Sequence, residues 1–149
     1  MTAMLTPYHL LLALVEELRA LLAPVAVYPQ RLPISSSADD EPEYAPYCIV
    51  HITDGTVTDA NAPETVNVIL LFCILSDGLD AQGYADVLHL MQETKQYMLE
   101  HPVVGSAYTV LPESVQWTLQ LEDTHPYYIG GITAAYECPA IVRNLPPLD

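Results

Sequence analysis

Basic residues are scarce in this chain. Four Lys and Arg stand against nineteen Asp and Glu among 149 residues, which gives a formal net charge of -15. Proteins that grip nucleic acid by neutralising phosphates need clustered Lys or Arg. The four basic residues are scattered instead, at Arg19, Arg31, Lys95 and Arg143. The composition argues against a conventional DNA-binding surface and predicts a negative surface over the whole protein.

Motifs that carry the common chemistries are missing as well. The chain has no Gly-rich phosphate loop, no HExxH, no GxSxG and no paired-cysteine motif. Its three cysteines, Cys48, Cys73 and Cys138, are odd in number and far apart. Such spacing argues against a disulfide framework and a metal site, and it favours a reducing interior. The sequence therefore predicts a protein that is not an enzyme and that needs neither a cofactor nor a metal.

Two pairs of side chains keep an enzymatic alternative open. His89 and Glu93 have the i,i+4 spacing that could orient an imidazole on a helix, although the same spacing suits a solvated pair. Cys48 and His51 lie three residues apart in a predicted strand, so their side chains point to opposite faces. A small acidic hydrolase or metal-dependent enzyme is therefore an alternative with no complete catalytic set.

Two amphipathic helices are expected. Thr6 and Pro7 have the residue types of an N-cap and a first helical position, and Pro24 ends the segment. Residues 10–27 are interrupted by Glu16, Glu17, Arg19 and Pro24, and no basic segment precedes them. This pattern argues against a signal peptide and a membrane span. A second helix is predicted from a cap at Asp80 to about His101, with an apolar face made of Tyr84, Val87, Leu88, Met91, Met98 and Leu99.

Strands are expected on both sides of the second helix. Residues 47–53 and 66–75 are rich in β-branched, aromatic and leucine side chains. The connection between them, residues 54–65, is long for a hairpin, so the loop is expected to reach something. Val115, Trp117, Leu119 and Leu121 alternate with polar residues, which predicts a strand that buries these four side chains. Residues 127–138 form the last strand, where Gly130 and Gly131 suggest a bulge or a close backbone approach.

Together these elements predict an α+β fold: one two-layer domain over residues 1–149, with a mostly antiparallel sheet and two main helices packed on one face. A mobile acidic loop at about residues 35–45 and an extended tail at about residues 139–149 complete the expected organisation.

The element order and three segments resemble the tail terminator, or tail completion, proteins of long-tailed phages (siphophages). The segments are residues 27–33 (VYPQRLP), 75–87 (LSDGLDAQGYADV) and 124–131 (THPYYIGG). The resemblance implies a structural protein without a catalytic motif, assembled in the host cytoplasm and located in the virion at the junction of tail and head. Its subunits would form a ring, usually a hexamer, that caps the tail tube, stops polymerisation and provides the head-docking surface.

The same resemblance implies a tail tube protein and a head-tail connector protein as partners, with DNA passing through the ring without specific binding and no membrane involved. It gives the strand-connecting loop an interface role, so Asp54, Asp59 and Glu64 are candidates for the pore or an interface. Acids around an opening would repel DNA phosphates and permit threading. A head-tail joining (neck) protein is the structural alternative.

Overall fold

A computed structural model describes residues 6–33, 45–78, 81–122 and 124–141, and shows two helices packed on a mixed, curled sheet. The helices are α1 (Pro7–Leu22) and α2 (Gln82–Glu100). The strands are β1 (Ala26–Pro29), β2 (Tyr47–Val57), β3 (Glu64–Leu75), β4 (Val103–Val104), β5 (Tyr108–Val110), β6 (Gln116–Leu119) and β7 (Tyr127–Cys138). The predicted α+β fold is confirmed.

The strand order is β1-β2-β3-β7-β5-β4, and β6 pairs with β7 beside β5. All pairs are antiparallel except β1 with β2, so the sheet is mostly antiparallel as expected. The centre of the sheet is the pair of β3 and β7, which stay in register over twelve residues from Glu64 opposite Cys138 to Leu75 opposite Tyr127.

Both helices cover the same face of this sheet. Side chains alternate across a strand, and most buried residues of β3 and β7 share one parity: Val66, Val68, Leu70, Phe72, Tyr128, Ile132, Ala134, Tyr136 and Cys138. Cys73 and Ala135 are buried on the other side. We call the side of the larger set the helix face. The opposite side, which we call the open face, includes Asn67, Ile69 and Leu71 of β3 with Ile129, Gly131 and Thr133 of β7. The predicted two-layer arrangement is confirmed.

Helix α1 begins where its sequence predicts. Thr6 is the N-cap, and its Oγ1 accepts a hydrogen bond from the His9 backbone N at 3.4 Å. Pro7 follows at the first helical position, where its missing N–H costs nothing. The helix ends at Leu22, just before the Ala23–Pro24 pair, because a residue preceding proline is disfavoured in the helical region.

Helix α2 differs from the prediction in its first residue and in the burial of one residue near its C-terminus. It begins at Gln82 with Ala81 as N-cap, and the predicted cap Asp80 lies outside the described residues. Leu99, expected in the core, is exposed. The buried stripe of α2 follows Val87, Met91 and Met98, and a helical step of 100° turns Leu99 away from it.

The interval between α1 and β2 contains a strand that the sequence reading missed. Residues 26–29 form β1, parallel to β2 from Tyr47 to Val50. Four residues ending in proline carry too little periodicity to reveal a strand. Of the predicted mobile loop at 35–45, residues 35–44 lie outside the described part, and so do residues 142–149 of the predicted tail.

The prediction that Trp117 and Leu121 are buried is wrong. Trp117 is 46% exposed and Leu121 is 79% exposed. Strand β6 covers only residues 116–119, and among the described strands it pairs on one side only, with β7. The alternating pattern predicted a strand correctly, and Val115 and Leu119 pack against the core, but the edge position leaves Trp117 in solvent.

Gly130 provides the close approach that was expected of the Gly130–Gly131 pair, and the register with β3 runs through both residues without a bulge. A Cβ at Gly130 would lie 2.6 Å from the Met91 side chain, whereas one at Gly131 would lie 3.4 Å from the Leu70 carbonyl oxygen. The missing side chain at Gly130 therefore lets α2 pack directly on β7.

Candidate interface on the β2–β3 hairpin

The segment predicted as a long loop is mostly hairpin. Strand β2 continues to Val57 and β3 begins at Glu64, so only residues 58–63 connect them. The expectation of a loop over 54–65 is thus corrected: Thr56, Val57 and Thr65 are strand formers, and their ladder overrides the turn-forming residues around them. We call residues 53–66 the hairpin arm.

A β-bulge at Thr53 determines where the arm directs Asp54. Ile52 pairs with Val68, but the next partner of β3, Asn67, lies opposite Asp54. The extra residue reverses the alternation, because one inserted residue moves every later side chain to the other face. Without the bulge, Asp54 would share the helix face with Ile52. With it, Asp54 lies on the open face beside Asn67.

Hydrogen bonds fix the Asp54 carboxylate in this position. Thr53 Oγ1 donates to Asp54 Oδ1 at 2.8 Å, and Asn67 Nδ2 donates to the same oxygen at 3.0 Å. These two donors hold the pKa of the Asp54 carboxyl below its usual value, with the Thr53 contact as the larger cause. Desolvation opposes the shift as the smallest of the three causes, and the exposed group displays a fixed negative charge.

Glu64 lies on the other side of the same arm. It pairs with Val57 and shares the helix-face parity of Val66, and its Oε2 would lie 2.7 Å from a Cβ at Gly55. On the neighbouring strand, burial raises the pKa of Cys138 to about 11, and the charge of Glu64 adds to that shift. Because Gly55 has no Cβ, the Glu64 carboxylate can lie in the space that a side chain at position 55 would fill.

Asp59 shapes the tip of the arm. Its Oδ1 accepts from the Ala60 backbone N at 2.8 Å, and its carbonyl oxygen accepts from the Ala62 backbone N at 3.1 Å. Asp59 is exposed. The structure therefore places the three predicted acids on one hairpin but separates them, with Asp54 on the open face, Glu64 on the helix face and Asp59 at the tip.

Exposed apolar side chains accompany these acids, and the sequence reading did not single them out. Val57 is 58% exposed, and Ile141, after the end of β7, is exposed as well. Both line a recess of about 210 Å³ with Ala60, Ala62 and Pro139. The high β propensity of Val57 next to Thr56 was the available signal, because it extends β2 past the predicted end of the strand.

The residues of the enzymatic alternative are not gathered into a site. His89 and Glu93 are both exposed on α2, and the structure shows no hydrogen bond between them. Cys48 is fully buried on the helix face, and burial raises the pKa of its thiol to about 12, so the nucleophilic thiolate is disfavoured at neutral pH. Within the described ranges, no group of three or more His, Cys, Asp and Glu side chains could hold a metal ion.

No helix in the described part of the chain is long and apolar enough to span a bilayer. In comparisons with known proteins, no family model matches this chain and no curated protein matches it.

Proposed function

We propose that this chain is a structural protein of the tail terminator type, which closes into a ring on the end of a phage tail tube, stops its growth and presents a docking surface for the head. The observation that carries this proposal is the acidic hairpin arm, which displays charge on both faces and at its tip, beside the exposed side chain of Val57, on a chain of net charge -15. The element order that resembles this family supports the same proposal.

The open face is the side of the sheet suited to line an opening. In the described part of the chain neither α1 nor α2 packs on it, and its charged strand residues are Asp54 and Glu137, both acidic. Negative groups around a channel repel the DNA backbone, which lets a duplex pass without being held. The helices would then lie on the outside of the ring, away from the DNA.

Native mass spectrometry and electron microscopy of the purified protein test the ring directly. We expect a discrete oligomer with a central opening that binds the end of a tail tube and stops the addition of tube subunits. A protein that stays monomeric at high concentration and leaves tube length unchanged would contradict the proposal. A ring that joins heads but leaves tube length unregulated would favour the neck protein instead.

Charge reversal tests which face lines the opening. A variant with Asp54→Lys and Glu137→Lys should form rings that retain duplex DNA in low salt, because the reversed charges attract phosphates. The matched control carries Asp86→Lys and Glu93→Lys, which make the same charge change on exposed positions of α2. Equal DNA retention by the two variants would show that the open face does not line the opening.

A further inference from the structure

Native sheets normally protect their edges, and β1 shows how. The Arg19 side chain donates from Nε to the Val27 carbonyl oxygen at 3.1 Å, which occupies an acceptor on the outer side of this strand. Pro29 has no N–H to offer a second strand. An edge blocked by an arginine and a proline cannot extend the sheet.

Strand β6 has none of these devices. Within the described residues it pairs only with β7, and residues 115–121 contain no charge and no proline. The Gln120 backbone N bonds to the Ile129 carbonyl oxygen at 3.0 Å, so by the alternation of an antiparallel ladder Trp117 and Leu119 direct their N–H and C=O outward. The exposed indole of Trp117 stands on this open edge.

The hairpin arm supplies a second open edge. Just after β1 ends, the Gln30 side-chain amide occupies the edge of β2 at Ile52. It accepts a hydrogen bond from the Ile52 backbone N at 2.6 Å and donates one to the Ile52 carbonyl oxygen at 3.2 Å. Past this point, residues 55–57 of β2 have β3 on one side and no strand on the other within the described residues. These residues also carry no charge.

The two edges are complementary. Strand β2 is antiparallel to β3, β3 to β7, and β7 to β6, so a second copy in the same orientation brings its β2 antiparallel to β6. Trp117 is opposite Ile132 and Val57 is opposite Glu64, which places both exposed side chains on the helix face. Contact through two uncharged segments also keeps like charges out of the ladder between chains that each carry -15.

We propose that β6 of one copy pairs with the outer edge of residues 55–57 in the next copy, with Trp117 packed beside Val57 of that neighbour. This inference rests on the proposed ring, and it names the contact that closes it. The two edges belong to different strands of one chain, so the association is head-to-tail, the type that generates rings. The occupant of the β6 edge is thus a second copy of this chain.

A charge pair tests this contact. Trp117→Lys and Val57→Asp, made separately, should each shift the assembly midpoint to about tenfold higher concentration, the loss expected at an interface anchor. The double variant should recover assembly, because the ammonium and the carboxylate would then face each other across the contact. Leu99→Lys, at an exposed apolar side chain of α2, serves as the control that leaves assembly unchanged.

Native mass spectrometry reads the assembly, and circular dichroism checks that each variant is folded. If the wild-type protein forms rings and both single variants still assemble, the proposed contact is wrong. The proposed ring function would not be contradicted by that result. A wild-type dimer that only Trp117→Lys dissociates would also overturn it, since β6 would then pair with β6. A double variant no better assembled than the single variants would show that the two positions are not neighbours.

Discussion

The two faces of the central sheet treat the same chemical groups in opposite ways. Glu17 of α1 lies on the helix side, where burial is the main cause that raises the pKa of its carboxyl, Glu16 adds to the shift and His101 opposes it. Asp54 lies on the open face, where hydrogen bonds lower the pKa of its carboxyl. The side covered by the helices thus disfavours the charge of Glu17, whereas the open face stabilises the charge of Asp54 and displays it.

The largest contrast between the faces is expected from neighbouring residues of β3. Phe72 is fully buried on the helix face, so Phe72→Ala should lower the free energy of unfolding by about 3–5 kcal/mol. Leu71 lies partly exposed on the open face, so Leu71→Ala should cost less than half as much. Urea unfolding of both variants measures the difference, and equal losses would show that the open face is as tightly packed as the core.

The adjacent glycines of β7 sharpen the contrast. Gly130→Ala places a methyl group 2.6 Å from the Met91 side chain and should destabilise the protein by about 1–3 kcal/mol. Gly131→Ala on the open face meets its nearest neighbour at an ordinary 3.4 Å and should change stability by no more than about 0.5 kcal/mol. Thermal unfolding compares the two variants. An unaffected Gly130→Ala would mean that the flexible end of the Met91 side chain moves aside at little cost.

A smaller effect is expected from Glu17, and its sign depends on pH. Folding raises the pKa of Glu17 above 4.5, so the stability that its protonated form contributes is complete below that value and is lost as pH rises through the folded-state pKa. Glu17→Gln should therefore be more stable than the parent at neutral pH, with the gain vanishing in acid.

The surroundings of Glu17 explain why this effect is expected. Its Oε2 and the Tyr136 hydroxyl are both buried and have no hydrogen-bond partner among the described residues. Burial raises the pKa of both groups, and the charge of Glu17 adds to the shift of Tyr136. Urea unfolding at neutral and acidic pH measures the gain. The control Glu93→Gln, at an exposed carboxyl of α2, should change stability little at either pH. If Glu93→Gln gained as much stability as Glu17→Gln, burial of the carboxyl would not be the cause of the gain.

The smallest effect is expected on the open face, at Asn67. Asn67→Ala removes a donor to Asp54 and should raise the pKa of that carboxyl toward 3.8, with a change in stability within about 0.5 kcal/mol. A titration followed by NMR measures the pKa. Thr65→Ala, on the same face of β3, is the control that should leave it unchanged. If the pKa of the Asp54 carboxyl were unchanged in Asn67→Ala, the hydrogen bond from Asn67 would be contradicted.

Local patterns of the sequence predicted the elements whose causes are local. The cap at Thr6, the extent of α1 and the last strand follow from capping and periodicity alone, and they were predicted correctly. The exposure of Trp117 and the continuation of β2 through Val57 were missed, because both depend on which strand lies alongside. The three acids of the candidate interface could be located on one segment but not assigned to a face.

The acidic charge, the two amphipathic helices and an α+β fold with a mostly antiparallel sheet could be predicted from the residues alone, since composition and periodicity are properties of the chain. The folded chain was needed to show that one extra residue at Thr53 turns Asp54 to the open face, and that no other described strand covers the outer edges of β6 and the hairpin arm. Register and edge position depend on partners distant in sequence, and the chain does not record them locally.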